Sequence, residues 1–397
     1  MRSAAVIGTG LIGTSVALAL SSRGVAVHLL DNDVRAARTA SSLGAGQVGE
    51  PDEPVDLAIV AVPPARVGDT LASVQARRLA RSYTDVASVK HGPLRAARDL
   101  GCELSRYIGG HPMAGREKSG PLAADAQLFV GRPWVLTPTA ETDTDTLNRA
   151  LELVSLCGAV PVVMEAADHD RAVALVSHAP QLVSSLMAAR LQHAGDHEVR
   201  LAGQGLRDVT RIAASDPAMW IDILGANAGV VADVLAELAE DLRATVGALR
   251  AMAAAGPAGA GTTVATDGPV VTDGPVAVEE TAEAGGAAVA VRTPEAAKGG
   301  DTIADVLRRG NAGHARIPGK HGAPQVRWAA VPVLIGDQPG ELARLFAEVE
   351  AAGVNVEDVS IEHSPGQPAG LVQLMVAPAA GRSLAEALRS RGWNVRA

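Results

Sequence analysis

Cysteine and aromatic side chains are almost missing from this chain, with 2 Cys and an aromatic share of 2% in 397 residues. Cys102 and Cys157 alone cannot build a disulfide framework, which points to a reducing, cytoplasmic setting. Also lacking is any block of basic charge. The 35 Lys and Arg residues are dispersed and the net charge is −9, leaving no electrostatic footprint for nucleic acid or an anionic membrane. An anionic ligand therefore has to be caught by local groups. Nor is there a clean long hydrophobic run. The uncharged stretch from Ser3 to Ser22 could pass for a signal peptide or a membrane span, but glycine, threonine and serine interrupt its first half. It reads better as a short strand, a turn and a helix.

What is present is a hydrophobic share of 47%, enough for a folded protein of two or three domains. From Ala4 to about Pro138, β-rich runs (AAVIG, VAVHLLD, LAIVAVP, YTDVAS, YIGG, WVLTP) alternate with helical stretches. That order predicts an α/β domain over 1–140, a doubly wound and mostly parallel sheet. From 141 the pattern is almost wholly helical, giving an expected substrate and dimerisation domain over 141–322. Within it, residues 254–300 are rich in Ala, Gly, Pro and Thr and read as a flexible insert, since few large apolar side chains offset the chain entropy. A helix, DTIADVLRRG, resumes at 301. Residues 326–397 give strand, helix, two strands, helix and strand, a small ferredoxin-like module.

The first motif is G-x-G-x-x-G at Gly8, Gly10 and Gly13, after a predicted strand and opening a predicted helix. Gly8 permits the tight turn, Gly10 the approach of backbone to a pyrophosphate, and Gly13 close packing of helix on strand. Asp31 ends the second strand, where an acid binds ribose hydroxyls and favours NAD over NADP; Asp33 is the near alternative. Expected cofactor contacts are Gly8, Gly10, Leu11, Ile12, Gly13 and Asp31, with Val62 and Pro63 at the end of a later strand.

The second feature is GGHPMAGREKSG, residues 109–120. An alcohol-oxidising nicotinamide enzyme needs a group that takes the hydroxyl proton, and histidine titrates nearest neutrality. His111, between Gly110 and Pro112, is expected in a loop just past a strand. Ser88, in TDVASVKHG, offers a hydroxyl that could set its tautomer, or else a helix cap. Glu117 and Ser119 could orient His111 or gate substrate, the alternative being a solvated Glu117–Lys118 pair. Farther on, Arg207, Asp208 and Arg211 stand near the start of a helix, where a guanidinium could pair with a substrate carboxylate or form an intrahelical salt bridge.

Together GTGLIGTS, TDVASVK, GGHPMAGREKSG, VSHAPQLVSS and GLRDVTRIAASDPAMWIDI resemble the prephenate dehydrogenase family, including its arogenate-using relatives. The resemblance covers about 1–253 and 301–322. It implies a Rossmann-type domain, a helical dimerisation domain, and NAD-dependent oxidation of a cyclohexadienol acid with loss of CO2, yielding 4-hydroxyphenylpyruvate or tyrosine. It implies that His111 accepts the ring hydroxyl proton with Ser88 orienting it, and that Arg211, helped by Asp208, holds a carboxylate. Glu117 would guard the pocket, His178 would begin a SHLPH-type motif, and Met219 and Trp220 would be the MW pair near the site. One departure is Gln181, where many prephenate users carry a second histidine. Glutamine cannot carry positive charge, so the change is expected to suit the ammonium of arogenate.

GDQPGELARLFAEVEAAGVNVEDVSIE similarly resembles the ACT family of amino-acid-sensing domains, through Asp337, Pro339, Gly340 and Leu342. That implies control by tyrosine or another aromatic amino acid. No metal is expected: His193, His197 and the Asp168–His169–Asp170 run lack a third ligand and are expected to be exposed. Other β-hydroxyacid dehydrogenases rely on a lysine in the helical domain, and 141–249 contains none. A noncatalytic NAD-sensing regulator would have no need of Ser88, His111 and Arg211 together. The Ala/Leu-rich helices suggest a homodimer.

Overall fold

The computed structural model describes residues 1–115, 118–254, 294–319, 328–363 and 369–396. The chain divides into two compact units, Met1–Leu235 with Arg327–Ala397, and Ala236–Val326.

The first half of the chain runs β1 (Ser3–Ile7), α1 (Leu11–Ser21), β2 (Ala26–Leu30), α2 (Val34–Ser42), β3 (Gln47–Val48), β4 (Val55–Val60), α3 (Val67–Ala76), β5 (Ala80–Asp85), α4 (His91–Asp99), β6 (Tyr107–Pro112), β7 (Pro133–Thr137), α5 (Thr144–Leu156) and β8 (Val160–Val163). All eight strands form one sheet in the order β3-β2-β1-β4-β5-β6-β7-β8. It is parallel from β3 through β6, while β7 runs antiparallel to β6. The chain reverses its direction of winding between β1 and β4, the switch point where such sheets bind ligands. The expected helical stretch beginning at 141 is therefore interrupted: β8 still belongs to the sheet, pairing with β7 from Val160 to Val163, and α5 packs against that sheet.

Alternation along β1 explains the layering. Ala4 and Val6 join one core cluster with Val16 and Leu20 of α1 and Leu153 of α5, while Ala5 and Ile7 join another with Leu71 and Val74 of α3. A strand buried on both faces has no polar side, hence its near-continuous apolar run. The uncharged stretch at the start of the chain is β1, a turn and α1, as its glycines predict.

Next come α6 (Ala166–Val173), α7 (Ala179–Ala189), α8 (Asp196–Val199), α9 (Gln204–Thr210), α10 (Pro217–Ala226), α11 (Ala228–Ala254) and α12 (Pro294–His314). A wide π-type turn over 174–178 joins α6 to α7. Helix α12 begins at Pro294, earlier than the expected 301, so residues 294–300 of the expected flexible insert are helical. Residues 255–293 lie outside the described residues. Within the second unit Arg309 clamps Asp241 of α11 through two bonds of 3.0 and 2.9 Å.

The C-terminal module runs β9 (Ala329–Gly336), α13 (Glu341–Ala351), β10 (Val356–His363), β11 (Ala369–Val376), α14 (Pro378–Ser390) and β12 (Asn394–Val395). Its sheet is antiparallel, ordered β10-β11-β9-β12. Val331, Val333, Val372 and Leu374 on the sheet pack against Leu345 of α13 and Leu384 of α14. This is the βαββαβ arrangement that the sequence predicts.

Candidate active site

The glycine turn has little room for anything else. Gly8 has φ +101°, and a Cβ there would stand 2.2 Å from the Ala61 carbonyl oxygen; one on Gly13 would stand 1.9 Å from that of Gly8. A Cβ on Gly10 would meet nothing within 4 Å, so the turn is open on that side. Gly10 precedes α1 without a side-chain cap, leaving the first-turn amides of Leu11, Ile12 and Gly13 available to an anion. Asp31, just past β2, accepts from the Thr9 amide at 2.6 Å and the Thr9 hydroxyl at 2.8 Å. A cavity of about 450 Å³ opens beside Gly8, lined by Asp31, Asn32, Val62 and Arg66 among others. Asp33, the near alternative, is used as the N-cap of α2. Pro63 is exposed next to Val62 and is not among the cavity's lining residues. These residues fit a dinucleotide: an uncapped helix start faces a turn that only glycine fits, with a carboxylate at the neighbouring strand end.

His111 differs from its expected place. It lies within β6 and pairs with Val135 of β7, because the antiparallel partner carries β-pairing on to Pro112. The two preceding glycines are explained by close approach. A Cβ on Gly109 would stand 2.5 Å from the Thr137 hydroxyl and one on Gly110 would stand 2.6 Å from the Asp85 carbonyl oxygen. Beneath them lies Lys90, 1% exposed, whose ammonium is paired with Asp85 and donates to the Gly110 carbonyl at 2.6 Å. Asp85 also accepts from the Tyr107 hydroxyl at 2.6 Å and the Ala87 amide at 2.8 Å. Burial lowers the Lys90 pKa, with Asp85 opposing that change; burial and the Asp85 charge together push Tyr107 well up.

The partner of His111 is not Ser88. Its Nδ1 lies 2.9 Å from Nε2 of His169, and His169 Nδ1 lies 2.8 Å from Asp170 Oδ1. The reason is placement: His111 turns Nδ1 toward α6, and the buried Ser88 hydroxyl has no hydrogen-bond partner among the described residues. His169 and Asp170 are buried, contrary to the expectation of exposure, whereas Asp168, His193 and His197 are exposed. Asp170 also accepts from the Lys90 amide at 2.7 Å and the His91 amide at 2.9 Å, at the start of α4. Burial raises the Asp170 pKa, but these bonds outweigh it and hold the carboxyl below its ordinary value. Burial, then the Lys90 charge and the His169 and His178 imidazoles, hold His111 well below the usual 6.5. It is a neutral base at neutral pH.

Opposite stands the helical side. Pro180, with no amide to donate, follows the π-turn in the first turn of α7; such single wide turns recur at functional sites. The turn brings His178 and Gln181 onto the buried face. Asn227 Nδ2 donates 2.8 Å to the Asp170 carbonyl oxygen and lies 3.3 Å from His178 Nδ1. Trp220 meets His178 edge-on, with centroids 6.2 Å apart, while Met219 is exposed. Gln181 donates to the Ser215 hydroxyl at 2.7 Å.

Arg211 lies in a single 3-10 turn after α9, exposed and with no hydrogen bond or ion pair among the described residues. Its expected link to Asp208 is not formed: Asp208 accepts instead from Gln204, one helical turn back, at 2.7 Å, because α9 ends at Thr210. Arg207 is exposed, and Glu117 lies outside the described residues.

Comparison with known proteins bears on this geometry. A family model described as the prephenate dehydrogenase nucleotide-binding domain matches residues 16–163, and the prephenate dehydrogenase dimerization domain matches 165–254. A probable prephenate dehydrogenase of Streptomyces niveus is 41% identical over 395 residues, 99% of each chain. The chain belongs to the prephenate dehydrogenase family. Cyclohexadienyl dehydrogenase of Zymomonas mobilis is 32% identical over 60% of this chain and 85% of its own. Among solved structures, Aquifex aeolicus prephenate dehydrogenase with hydroxyphenyl propionate and NAD+ matches at TM-score 0.55 and 28% identity, over 61% of this chain and 88% of that one. Synechocystis arogenate dehydrogenase matches at 0.54 and 28%, over 62% and 91%.

As a prephenate dehydrogenase family member the chain is an oxidoreductase, and its boundary near 163 agrees with the end of β8. Sequence reading missed His169, Asp170 and Asn227. The available signal was the adjacent His169–Asp170 pair nine residues before His178, with no lysine nearby on the helices.

Proposed function

We propose that this protein oxidises and decarboxylates prephenate to 4-hydroxyphenylpyruvate with NAD. The observation that carries the reading is His111 on β6, its pKa held down by burial and its Nδ1 linked to Asp170 by two hydrogen bonds through His169, in the same sheet as the nucleotide turn. The Gly8–Gly13 turn and α1 would hold the pyrophosphate and Asp31 the ribose, where its charge disfavours a 2′-phosphate. NAD, when bound, supplies the acceptor for the hydrogen and electron pair leaving ring C4.

His111 takes the 4-hydroxyl proton as the carbon–oxygen double bond forms. The bond to the ring carboxylate then breaks, CO2 departs, and its electron pair flows through the ring to the oxygen. His111 returns the proton to that oxygen, so no net proton is released. Arg211 offers a guanidinium to a substrate carboxylate, with His178, Trp220 and Gln181 along the same wall and Ser88 presenting an unpaired hydroxyl to bound ligand. The division of labour we assign is nucleotide binding to the sheet, substrate binding and homodimerisation to the helices, and effector binding, by tyrosine or a similar aromatic amino acid, to the C-terminal module.

Arogenate is a second reading, favoured by one contact. With Gln181 Nε2 given to Ser215, its Oε1 is left as an acceptor, suited to an ammonium and not to a keto group.

The test is NADH formation with each substrate. His111→Asn should lower kcat by about 100- to 10,000-fold while NAD binding persists. The acid limb of kcat/KM should lie below 6.5, since a lowered pKa keeps the base unprotonated to lower pH. No turnover of either substrate by the wild type would refute the reading; a strong preference for one decides between them.

A further inference from the structure

The geometry points to Asp170 as the positioning residue that sets opposite tautomers on the two histidines of the site, through two separate branches. The first branch runs through its carboxylate. Ionised, it can only accept, so His169 Nδ1 carries the hydrogen across the 2.8 Å contact. A neutral His169 then presents a lone pair at Nε2, and His111 must donate to it from Nδ1 across 2.9 Å. The Nε2 of His111 is left as a lone pair, the form a base needs.

The second branch runs through the backbone carbonyl of the same residue. That oxygen also accepts only, which forces Asn227 to turn its NH2 group inward at 2.8 Å. The other hydrogen of this group faces His178 Nδ1 at 3.3 Å, so Nδ1 accepts and the hydrogen sits on Nε2. His178 becomes a neutral donor where His111 is a base. One residue, by its carboxylate in the first branch and its backbone carbonyl in the second, thus prepares both halves of a hydrogen-bonding pair of opposite sense.

Proton uptake uses the first branch. When His111 gains a proton on Nε2, its Nδ1–H still donates to His169, and the positive charge is stabilised through His169 by Asp170. Charges facing His111 are the Lys90 ammonium, with His169 and His178 as further imidazoles; Asp85 and Asp170 face Lys90, Tyr107 faces Asp85, and Asp170 faces His169. Lys90 opposes protonation, and the His169–Asp170 branch limits that opposition. This step rests on the functional reading above. The tautomers do not.

The experiment therefore has two readouts. In the full-length protein with 15N-labelled histidine, NMR at neutral pH should find His111 protonated on Nδ1 and His178 on Nε2. His169→Phe should release the tautomer of His111 and leave His178 unchanged, and Asn227→Ala should do the reverse, so a failure of Asp170→Asn to fold would not remove the test. In NADH formation, His169→Phe should lower kcat by about 10- to 100-fold with KM little changed and shift the acid limb, and His169→Gln, which keeps an acceptor, should recover part of the loss. Finding His111 protonated on Nε2 in the wild type, or both histidines changing together in each single-branch variant, would overturn the proposal. An inactive wild type with the expected tautomers would instead refute the functional reading alone.

Discussion

At the scale of single residues, Lys90 is costly to disturb. Its ammonium is buried, and what keeps it there is Asp85 on one side and the Gly110 carbonyl on the other. Removing one partner of such a pair strands the other charge away from water. Lys90→Met should therefore destabilise the protein by about 3–5 kcal/mol in urea unfolding, and Asp85→Asn added to it should restore part of that loss. Because Lys90 lowers the His111 pKa, the same single variant should move the acid limb of activity upward. Much of this neighbourhood was legible beforehand. His111, the glycine turn and Asp31 announce themselves by residue type and flanking glycine or strand. Ser88 misled because a hydroxyl three positions past a strand end says nothing about which way an imidazole turns, and that direction is decided by α6, a segment about sixty residues away. His169 was unreadable for the same reason: a histidine between two aspartates looks solvated until a helix end consumes one of them.

At the scale of elements, the nucleotide turn and the π-turn do comparable work by opposite means. The first permits no side chain at two positions, so its shape is dictated by exclusion. Gly13→Ala would force a methyl against the Gly8 carbonyl and should abolish NAD binding or folding, measured by cofactor titration beside a thermal melt; an unchanged affinity would contradict the close packing. The second inserts an extra residue into a turn just ahead of Pro180, rotating His178 and Gln181 onto the buried face. Periodicity placed the strands well, since alternation and continuous burial leave strong marks. It did not find β8, whose four residues, Val160–Val163, resemble the end of a helix hairpin more than an edge strand. It also began α12 too late, because the glycine pair Gly299–Gly300 in its second turn weakens the helical pattern.

At the scale of the whole molecule, the C-terminal module closes a core of its own around Val333, Leu345, Val372 and Leu384. None of the residues assigned to chemistry belongs to it. Deleting 328–397 should leave kcat within about twofold and abolish inhibition by tyrosine, compared directly with the full chain; inhibition that survives would place the effector elsewhere. Its topology was legible from the order of strands and helices alone. Which effector it would bind was not, since a fold does not name its ligand.

The placement of Asp170 has a mechanical consequence. Its carboxylate clasps the first amides of α4, at the rim of the sheet, while its own helix carries the wall opposite. A hinge that opened the cleft at this point would have to tear both bonds and let His169 swing, and His111 would lose its aim in the same movement. Opening for cofactor exchange must then bend the chain elsewhere, or else switch the base off as it opens, so that the site cannot be armed while it is ajar.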